Sequence, residues 1–293
     1  MEKIGIITEE TADFPQEMIE KYKIVIVPAK LDWPDLDNLP GSNTFQKMRE
    51  LDKKGIKSFG KTSQPSPKDY LDRYKEQFVR FEKIICISLT SKLSGSYNSA
   101  VQARNFLEKE KQKDVFVIDS LNASGGQALV ILKAIDLINI NKKAEEIVEE
   151  LKKFIPEVHL FAMFESPKWL EASGRISHLV ANLMRRLAGA GIRPVLAFKK
   201  GVLVPAGIKT KAKKLPLGIF KQFENKIRKL KLEDKKIRVV ITHGDDTEGA
   251  EELKEMVEKE FKNVEVAFIN IINNVVGAPT GPNTLALAWC EIE

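Results

Sequence analysis

Residues 83–99 read KIICISLTSKLSGSYNS, and this stretch decides the fold of the first half of the chain. The run 83–89 is apolar and rich in isoleucine, which is typical of a strand buried on both faces of a parallel sheet. The serine-rich residues 91–99 then predict a turn that leads into a helix. In open α/β sheets, ligands bind at the edge where strands lead into helices. We therefore expect a ligand at this turn.

A second hydroxyl-rich turn, KTSQPS, occupies residues 61–66, ahead of a helix that begins at Pro67. Like the turn at 91–99, it offers side-chain hydroxyls beside backbone N–H groups that have no intrahelical acceptor. That combination suits an anion or a carboxylate. The same local patterns are typical of ordinary helix starts, so for both turns a purely structural role stays open.

Strands and helices alternate through the first half of the chain. Strands are predicted at 3–8, 23–27, 83–89 and 114–118, and helices at 44–53, 67–81, 97–110 and 123–139. This alternation predicts a mainly parallel, doubly wound α/β sheet. The segment 32–42 is rich in Pro, Gly and Asp and predicts a surface loop.

The pattern changes near residue 156. Two strands at 193–198 and 202–208, joined at Lys199-Lys200-Gly201, predict a β-hairpin. Further strands are predicted at 158–164, 237–242, 264–272 and 285–292, with helices at 177–188, 216–230 and 248–261 among them. We therefore predict two domains, an N-terminal α/β domain at residues 1–155 and a C-terminal α+β domain at 156–293.

Composition limits the possible partners. The chain has 293 residues, of which 43% are hydrophobic and 30% charged, with a net charge of +6. Lysines alternate with glutamates along the predicted helix faces, which favours solvated surfaces over nucleic-acid binding. The basic stretch Lys209–Lys214, with the later Lys226–Lys229, leaves an acidic protein partner open. Because the sequence has neither a membrane-length apolar run nor a signal-peptide pattern, we expect a cytoplasmic protein without a membrane span.

The sequence offers no pattern of catalytic residues. Cys86 and Cys290 do not have metal or disulfide spacing, and the three histidines do not sit at ligand spacing. No motif for a serine nucleophile, a dinucleotide or a phosphate-binding loop is present. We therefore expect neither a metal nor a cofactor, and a binding protein rather than an enzyme.

Seven motifs, in order along nearly the whole chain, resemble the DegV family. They are residues 61–66, 91–96, 117–120, 173–177, 193–195 with Lys200-Gly201, 242–244 and 277–282. The resemblance implies a two-domain fold that binds one long-chain fatty acid between its domains, such as palmitate or an unsaturated C18 acid. It also implies, for some members, a role as the fatty-acid-binding subunit of a bacterial fatty acid kinase, which presents the carboxylate to a separate ATP-using subunit.

The resemblance also assigns site residues. In the family's pattern, hydroxyls that match Thr62 and Ser94 hold the carboxylate, and an arginine that matches Arg175 belongs to the phosphate or headgroup environment. The neighbouring site positions are Ser63, Gly95, Ser96 and Thr280. A surface ion pair is the alternative role for Arg175.

Four positions depart from the family's pattern. The Thr-Asp-Ser sequence after the first strand is Thr8-Glu9-Glu10, the Ser-Gly-Thr turn is Ser94-Gly95-Ser96, and a glycine is replaced by Ser173. The expected histidine before Thr280 is Pro279, which has no donor and no titratable group.

Two other functions stay open. One is a stand-alone hydrolase or transferase of an acyl lipid that recruits Ser94 or His243 for chemistry. The other is a lipid sensor or storage protein without a kinase partner, which Pro279 favours.

Overall fold

The structure is a computed structural model that describes residues 2–189, 192–208 and 214–292. By their contacts, the residues form two compact units. The first unit comprises Met1–Lys30, Ser63–Val158 and Lys200–Val202, and the second comprises Leu31–Thr62, His159–Lys199 and Leu203–Glu293.

Strands and helices alternate along both units. The strands are β1 (Ile4–Glu9), β2 (Val25–Val27), β3 (Lys30–Asp32), β4 (Lys61–Ser63), β5 (Lys83–Ser88), β6 (Val115–Asp119), β7 (His159–Met163), β8 (Pro194–Lys199), β9 (Val202–Ile208), β10 (Ile237–His243), β11 (Val264–Ile271) and β12 (Leu285–Glu291). The helices are α1 (Gln16–Tyr22), α2 (Thr44–Lys53), α3 (Pro67–Gln77), α4 (Ser96–Asn105), α5 (Lys109–Gln112), α6 (Gly125–Asn139), α7 (Ala144–Phe154), α8 (Lys168–Ser173), α9 (His178–Gly189), α10 (Leu215–Leu230), α11 (Thr247–Glu260) and α12 (Asn274–Thr280).

The first unit contains a four-stranded sheet in the order β2-β1-β5-β6. Each neighbouring pair is parallel, which confirms the sheet predicted from the sequence. The interior of β5, Ile84 to Ile87, is fully buried, as expected for a strand with an uninterrupted apolar run. Because the strands are parallel, their carboxyl ends lie at one edge, where β1 ends at Glu9 and β5 at Ser88.

Helices α3 and α4 pack on this sheet and bring polar groups to that edge. Tyr70 and Tyr74, one turn apart on α3, are fully buried in a core with Ile7, Ile84 and Cys86. Ser66 begins α3 with a reciprocal capping box to Asp69, and Pro67 occupies its first turn. The cap therefore fixes where α3 begins and which of its residues face the sheet.

The second unit contains a six-stranded mixed sheet in the order β11-β10-β12-β7-β8-β9. β10 and β11 are parallel, whereas β12 runs antiparallel to both β10 and β7. The predicted hairpin is confirmed, since β8 and β9 are neighbours. Its turn residues, Lys200 and Gly201, have φ values of 50° and 85°, and two positive φ angles are the signature of a two-residue hairpin turn.

The predicted surface loop at 32–42 is wrong in part. Residues Pro34–Leu36 form a 3₁₀ turn, and Trp33, Leu36 and Leu39 are buried. They pack with Phe45 and other residues of α2, and with residues of α8 and α12, in a second core of the second unit. The Pro and Gly residues correctly predicted an irregular backbone for this segment. The segment is nevertheless not a surface loop, because burying its three large apolar side chains is favourable.

The chain passes between the units more than once. The first unit gives way to the second after Val158, close to the predicted boundary at 155/156, but segment Leu31–Thr62 groups with the second unit and Lys200–Val202 with the first. Within the described ranges, no helix is long and apolar enough to cross a membrane. Of the basic stretch Lys209–Lys214, residues 209–213 lie outside the described residues.

Candidate functional site

A hydrogen bond joins two predicted site residues in the second unit. Arg175 Nη2 donates to Thr62 Oγ1 at 2.5 Å. Thr62 is the central residue of β4, and Arg175 follows Gly174, which ends α8 with a φ of 67°. Gly174 adopts this left-handed conformation at no steric cost, and the chain turns there to deliver Arg175.

The charge of Arg175 has no counter-ion in the part of the chain that the structure describes. Burial is the cause that lowers the pKa of its guanidinium, and no carboxylate among these residues pairs with it. The surface ion pair considered from the sequence is therefore not observed there. A half-buried guanidinium without an anion is costly unless a ligand supplies one.

The turn at Ser94 lies in the first unit, after β5. The backbone N–H groups of Ser91 and Leu121 donate to the carboxylate of Asp119, at 3.2 and 2.9 Å to Oδ1, and this ties the turn to the end of β6. Ser94 is half-buried, and its Oγ lies 2.9 Å from Ser96 Oγ. The carboxylate of Asp119, at the end of β6, therefore anchors the start of this turn.

Two N–H groups of this turn are already hydrogen-bonded within the protein. Gly95 N donates to Gln64 Oε1 at 3.1 Å, and Ser96 N donates to Ser94 Oγ at 3.2 Å. A Cβ at Gly95 would lie 2.3 Å from Gln64 Nε2, so Gln64 fills the space beside the glycine. A ligand reaches the Gly95 N–H only by displacing Gln64.

Ser63 and Thr280 are the remaining predicted site residues. Ser63 is exposed at the end of β4, in the first unit. Thr280 is half-buried at the end of α12, where its hydroxyl donates to Val276 O at 2.8 Å. Pro279 is buried inside this short helix.

Glu9 is the polar residue that sequence reasoning missed. Its side chain is fully buried, and its carboxylate accepts hydrogen bonds from Tyr70 Oη, Ser88 Oγ at 2.6 Å, Leu89 N at 3.0 Å and Gln127 Nε2 at 2.9 Å. Burial, and then the charge of Glu9, raise the pKa of Tyr70 well above its usual value. The sequence signal was an acidic residue at the end of an apolar strand, a position where burial requires several donors.

His243, the candidate base, has a structural role in the second unit. Its Nδ1 accepts a hydrogen bond from Asp246 N at 3.0 Å, and burial is the main cause that lowers its pKa. Asp246 in turn caps α11 by accepting from Gly249 N. His243 therefore supports the start of a helix, and its contacts give no support to a hydrolase. Across the described positions, no group of three His, Cys, Asp or Glu could hold a metal ion.

Comparison with known proteins gives the family. Residues 3–291 match the family model described as "Uncharacterised protein, DegV family COG1307". A Thermotoga maritima protein named fatty acid-binding protein is 30% identical, over 97% of this chain and 96% of its own length. A solved Thermotoga maritima structure, described as revealing fatty acid binding function, is 27% identical with a TM-score of 0.76 and covers 100% of both chains. A DegV family protein from Thermus thermophilus, 24% identical, has the same fold, with a TM-score of 0.83 over 99% of this chain and 100% of that chain. The chain therefore belongs to the DegV family.

Proposed function

We propose that the protein binds one long-chain fatty acid and that Thr62 and Arg175 hold its headgroup. The observation that carries this proposal is the 2.5 Å hydrogen bond from Arg175 to Thr62, made by a half-buried guanidinium that lacks a carboxylate partner in the described ranges. Relatives whose names or descriptions refer to fatty acid binding support the choice of ligand.

The donors of this pair match a carboxyl group. Thr62 Oγ1 accepts from Arg175, so the hydrogen of the Thr62 hydroxyl remains available for an oxygen of the ligand. A guanidinium has five N–H donors, and charge-assisted bonds to a carboxylate are about twice as strong as neutral ones. Together they offset the cost of removing the headgroup from water.

The acyl tail supplies most of the affinity. Each buried CH₂ contributes about 0.8 kcal/mol, so a tail of about sixteen carbons gains on the order of 10 kcal/mol before the costs of ordering. The headgroup contacts therefore decide the orientation of the ligand more than the strength with which it binds.

Ser94 is a proposed second hydroxyl contact for the headgroup. The Gly95 N–H becomes available to the ligand when Gln64 moves aside, and Ser96 holds the Ser94 hydroxyl in place. Ser63, which is exposed, and Thr280, whose hydroxyl now bonds its own helix, are proposed as outer contacts.

The finer part of the proposal concerns a partner. We propose that the bound carboxylate is presented, in the cytoplasm, to a separate kinase subunit that makes the acyl phosphate. Pro279 stands at the position of a histidine in the family's pattern, so it weakens this coupling. A lipid sensor or storage role without a kinase is the alternative if coupling is absent.

A binding titration with palmitate tests the headgroup assignment. Arg175→Met keeps a long side chain but removes the charge, and we expect about ten- to hundredfold weaker binding. Arg185→Met is the matched control, since Arg185 is an exposed arginine of the same unit that pairs with Glu171. Equal palmitate affinity in both variants would rule out Arg175 as a headgroup contact.

A further inference from the structure

We propose that Trp169 is a positioning residue for the headgroup pair, and that it holds the guanidinium of Arg175 within hydrogen-bonding distance of the Thr62 hydroxyl. The inference rests on the proposed function, because it concerns the contact of this pair with the carboxylate of the ligand. Trp169 lies on α8 in the second unit, to which Thr62 and Arg175 also belong. It acts through the elements that carry the pair rather than by touching the ligand.

Trp169 is the central member of an aromatic cluster. Its ring meets the rings of Trp33 and Phe59 edge-on, with centroids 5.8 and 5.5 Å apart. Aromatic pairs prefer this orientation and this range of distances. Trp169 is 3% exposed and Phe59 is 43% exposed, so the cluster reaches the protein surface at Phe59.

The cluster holds the segment that leads into Thr62. Trp33 Nε1 donates a hydrogen bond to Ser58 Oγ at 2.9 Å, and a Cβ at Gly60 would lie 2.5 Å from the Trp33 ring. The residue between Ser58 and Gly60 is the phenylalanine of the cluster. The two tryptophans therefore fix the segment just before β4, the strand that carries Thr62.

Arg175 is tied to Trp169 through the end of α8. Ser173 Oγ donates to Leu170 O at 2.7 Å and accepts from Arg175 N at 3.3 Å. The backbone of Arg175 is thus attached to the carbonyl group of Leu170, the residue that follows Trp169. A movement of Trp169 therefore moves Arg175 as well.

The position of Trp169 is fixed on its other sides too. A Cβ at Gly281 would lie 2.1 Å from Cδ1 of the indole, so the Gly281 backbone fits closely against the ring. The Nζ atom of Lys168 lies 4.4 Å from the ring centroid and forms an ion pair with Asp52 on α2. The indole therefore sets the spacing between α8 and the segment before β4.

The hydrogen bond between Arg175 and Thr62 depends on this spacing. Its two atoms, Arg175 Nη2 and Thr62 Oγ1, are 2.5 Å apart, and a shift of about 1 Å between α8 and β4 takes them out of hydrogen-bonding range. The carboxylate then no longer meets both groups at once. A neutral headgroup gains less from a guanidinium, so the loss is greater for a carboxylate than for an alcohol.

The test compares palmitate with 1-hexadecanol, which has the same number of carbon atoms but no charge. We expect Trp169→Leu to lower the affinity for palmitate relative to that for 1-hexadecanol about tenfold. This ratio of affinities cancels effects common to both ligands, including a general loss of stability. Trp169→Phe keeps an aromatic ring at this position and should retain most of the ratio.

Trp289→Leu is the matched control. Trp289 is a similarly buried tryptophan in the other core of the second unit, where its ring meets that of Phe223 edge-on at 5.7 Å. The change should lower the free energy of unfolding and leave the ratio of affinities unchanged. An equal fall of the ratio in Trp169→Leu and Trp289→Leu would assign the effect to a general loss of packing and overturn the inference.

Phe59→Leu provides a milder variant in case Trp169→Leu does not fold. It removes one aromatic contact of Trp169 at a partly exposed position, so we expect the ratio to fall about threefold with a small loss of stability. In Arg175→Met, which lacks the charge, adding Phe59→Leu should no longer change the ratio. A fall of the ratio that persists in Arg175→Met would mean that the cluster does not act through Arg175.

The same titrations separate this inference from the proposed function. If the parent protein does not bind palmitate, the proposed function is wrong. If the parent protein binds palmitate and the ratio is the same in Trp169→Leu and Phe59→Leu, the positioning role of Trp169 alone is overturned.

Discussion

Arg175 donates a hydrogen bond to Thr62 across 113 residues of sequence, within one compact unit. The bond uses the oxygen of Thr62 and leaves its hydrogen free, and it holds a guanidinium whose charge is not neutralised by any described residue. An arginine kept half-buried in this way is ready to receive an anion. The pair is therefore the basis of the proposed headgroup site.

A double-mutant cycle tests whether this pair acts as one unit. We expect Thr62→Val and Arg175→Met each to weaken palmitate binding about tenfold or more, and the double variant to be little weaker than the worse single variant. The reason is that each change removes a donor and also releases the other residue from its position. Fully additive losses, measured by calorimetric titration, would show that the two residues act independently.

A side chain at position 95 should lower stability only while Gln64 is present. Gly95→Ala puts a Cβ against the amide of Gln64 and breaks a hydrogen bond, which we expect to cost about 1 kcal/mol in the free energy of unfolding. Gln64 is exposed and flexible, so the loss stays small. In the Gln64→Ala background, Gly95→Ala should have almost no effect; an equal cost in both backgrounds would contradict the contact.

Glu9→Ala should destabilise the protein severely. The change removes the acceptor of the buried Tyr70 and Ser88 hydroxyls and of the half-buried Leu89 N–H, whereas Gln127 Nε2 keeps Thr8 Oγ1 as a partner. We expect a loss of about 3 kcal/mol or more in urea unfolding. Glu17→Ala, at an exposed site on α1, should stay within about 0.5 kcal/mol of the parent protein. A loss at Glu9 as small as that at Glu17 would mean that the buried network contributes little to stability.

His159 should make the protein less stable in mild acid. Burial, and then Lys226, lower its pKa from 6.5 to about 4, so the unfolded chain binds more protons than the folded chain between these values. Stability therefore falls as the pH drops from about 6.5 to 4, by on the order of 3 kcal/mol, and this contribution is constant below about 4. The ring stacks on Trp289 with centroids 4.3 Å apart, a contact that His159→Phe retains.

Unfolding measured from pH 7 to pH 4 checks this prediction. His159→Phe should flatten the dependence, whereas His178→Gln, at an exposed histidine, should leave it unchanged. An identical slope in the parent protein and in His159→Phe would assign the acid sensitivity to other groups.

Pro279→His tests the proposed coupling to a kinase. Restoring an imidazole donor at this buried position of α12 should raise acyl-phosphate formation with a fatty acid kinase subunit about tenfold. Pro279→Ala removes the proline without adding a donor and serves as the control. Equal rates of acyl-phosphate formation in the two variants would show that a histidine at position 279 does not strengthen the coupling to a kinase.

The sequence predicted regular elements well where one local pattern decided them. The strand expected at 83–89 is β5 at Lys83–Ser88, and the hairpin turn at Lys200-Gly201 was marked by Gly201, a residue type that accepts a positive φ. Helix α12 was not predicted, because Gly277 and Pro279 argue locally against a helix. Tertiary packing of α12 against α2 and α8 overrides that preference.

The site was less predictable, because its contacts join distant parts of the chain. Thr62, Ser94 and Arg175 were found by resemblance, but the bond between Thr62 and Arg175 cannot be deduced from local patterns. The same holds for Glu9, which the sequence marked only as a departure from the family's pattern. Its partner Tyr70 lies 61 residues away and reaches it only because α3 packs on the sheet.

The most direct test of the central claim is native mass spectrometry of the protein purified from a bacterial host, followed by denaturing extraction of any bound molecule. We predict one long-chain fatty acid per chain, retained in Arg185→Met and depleted in Arg175→Met. An empty protein that also fails to take up added palmitate would contradict fatty acid binding.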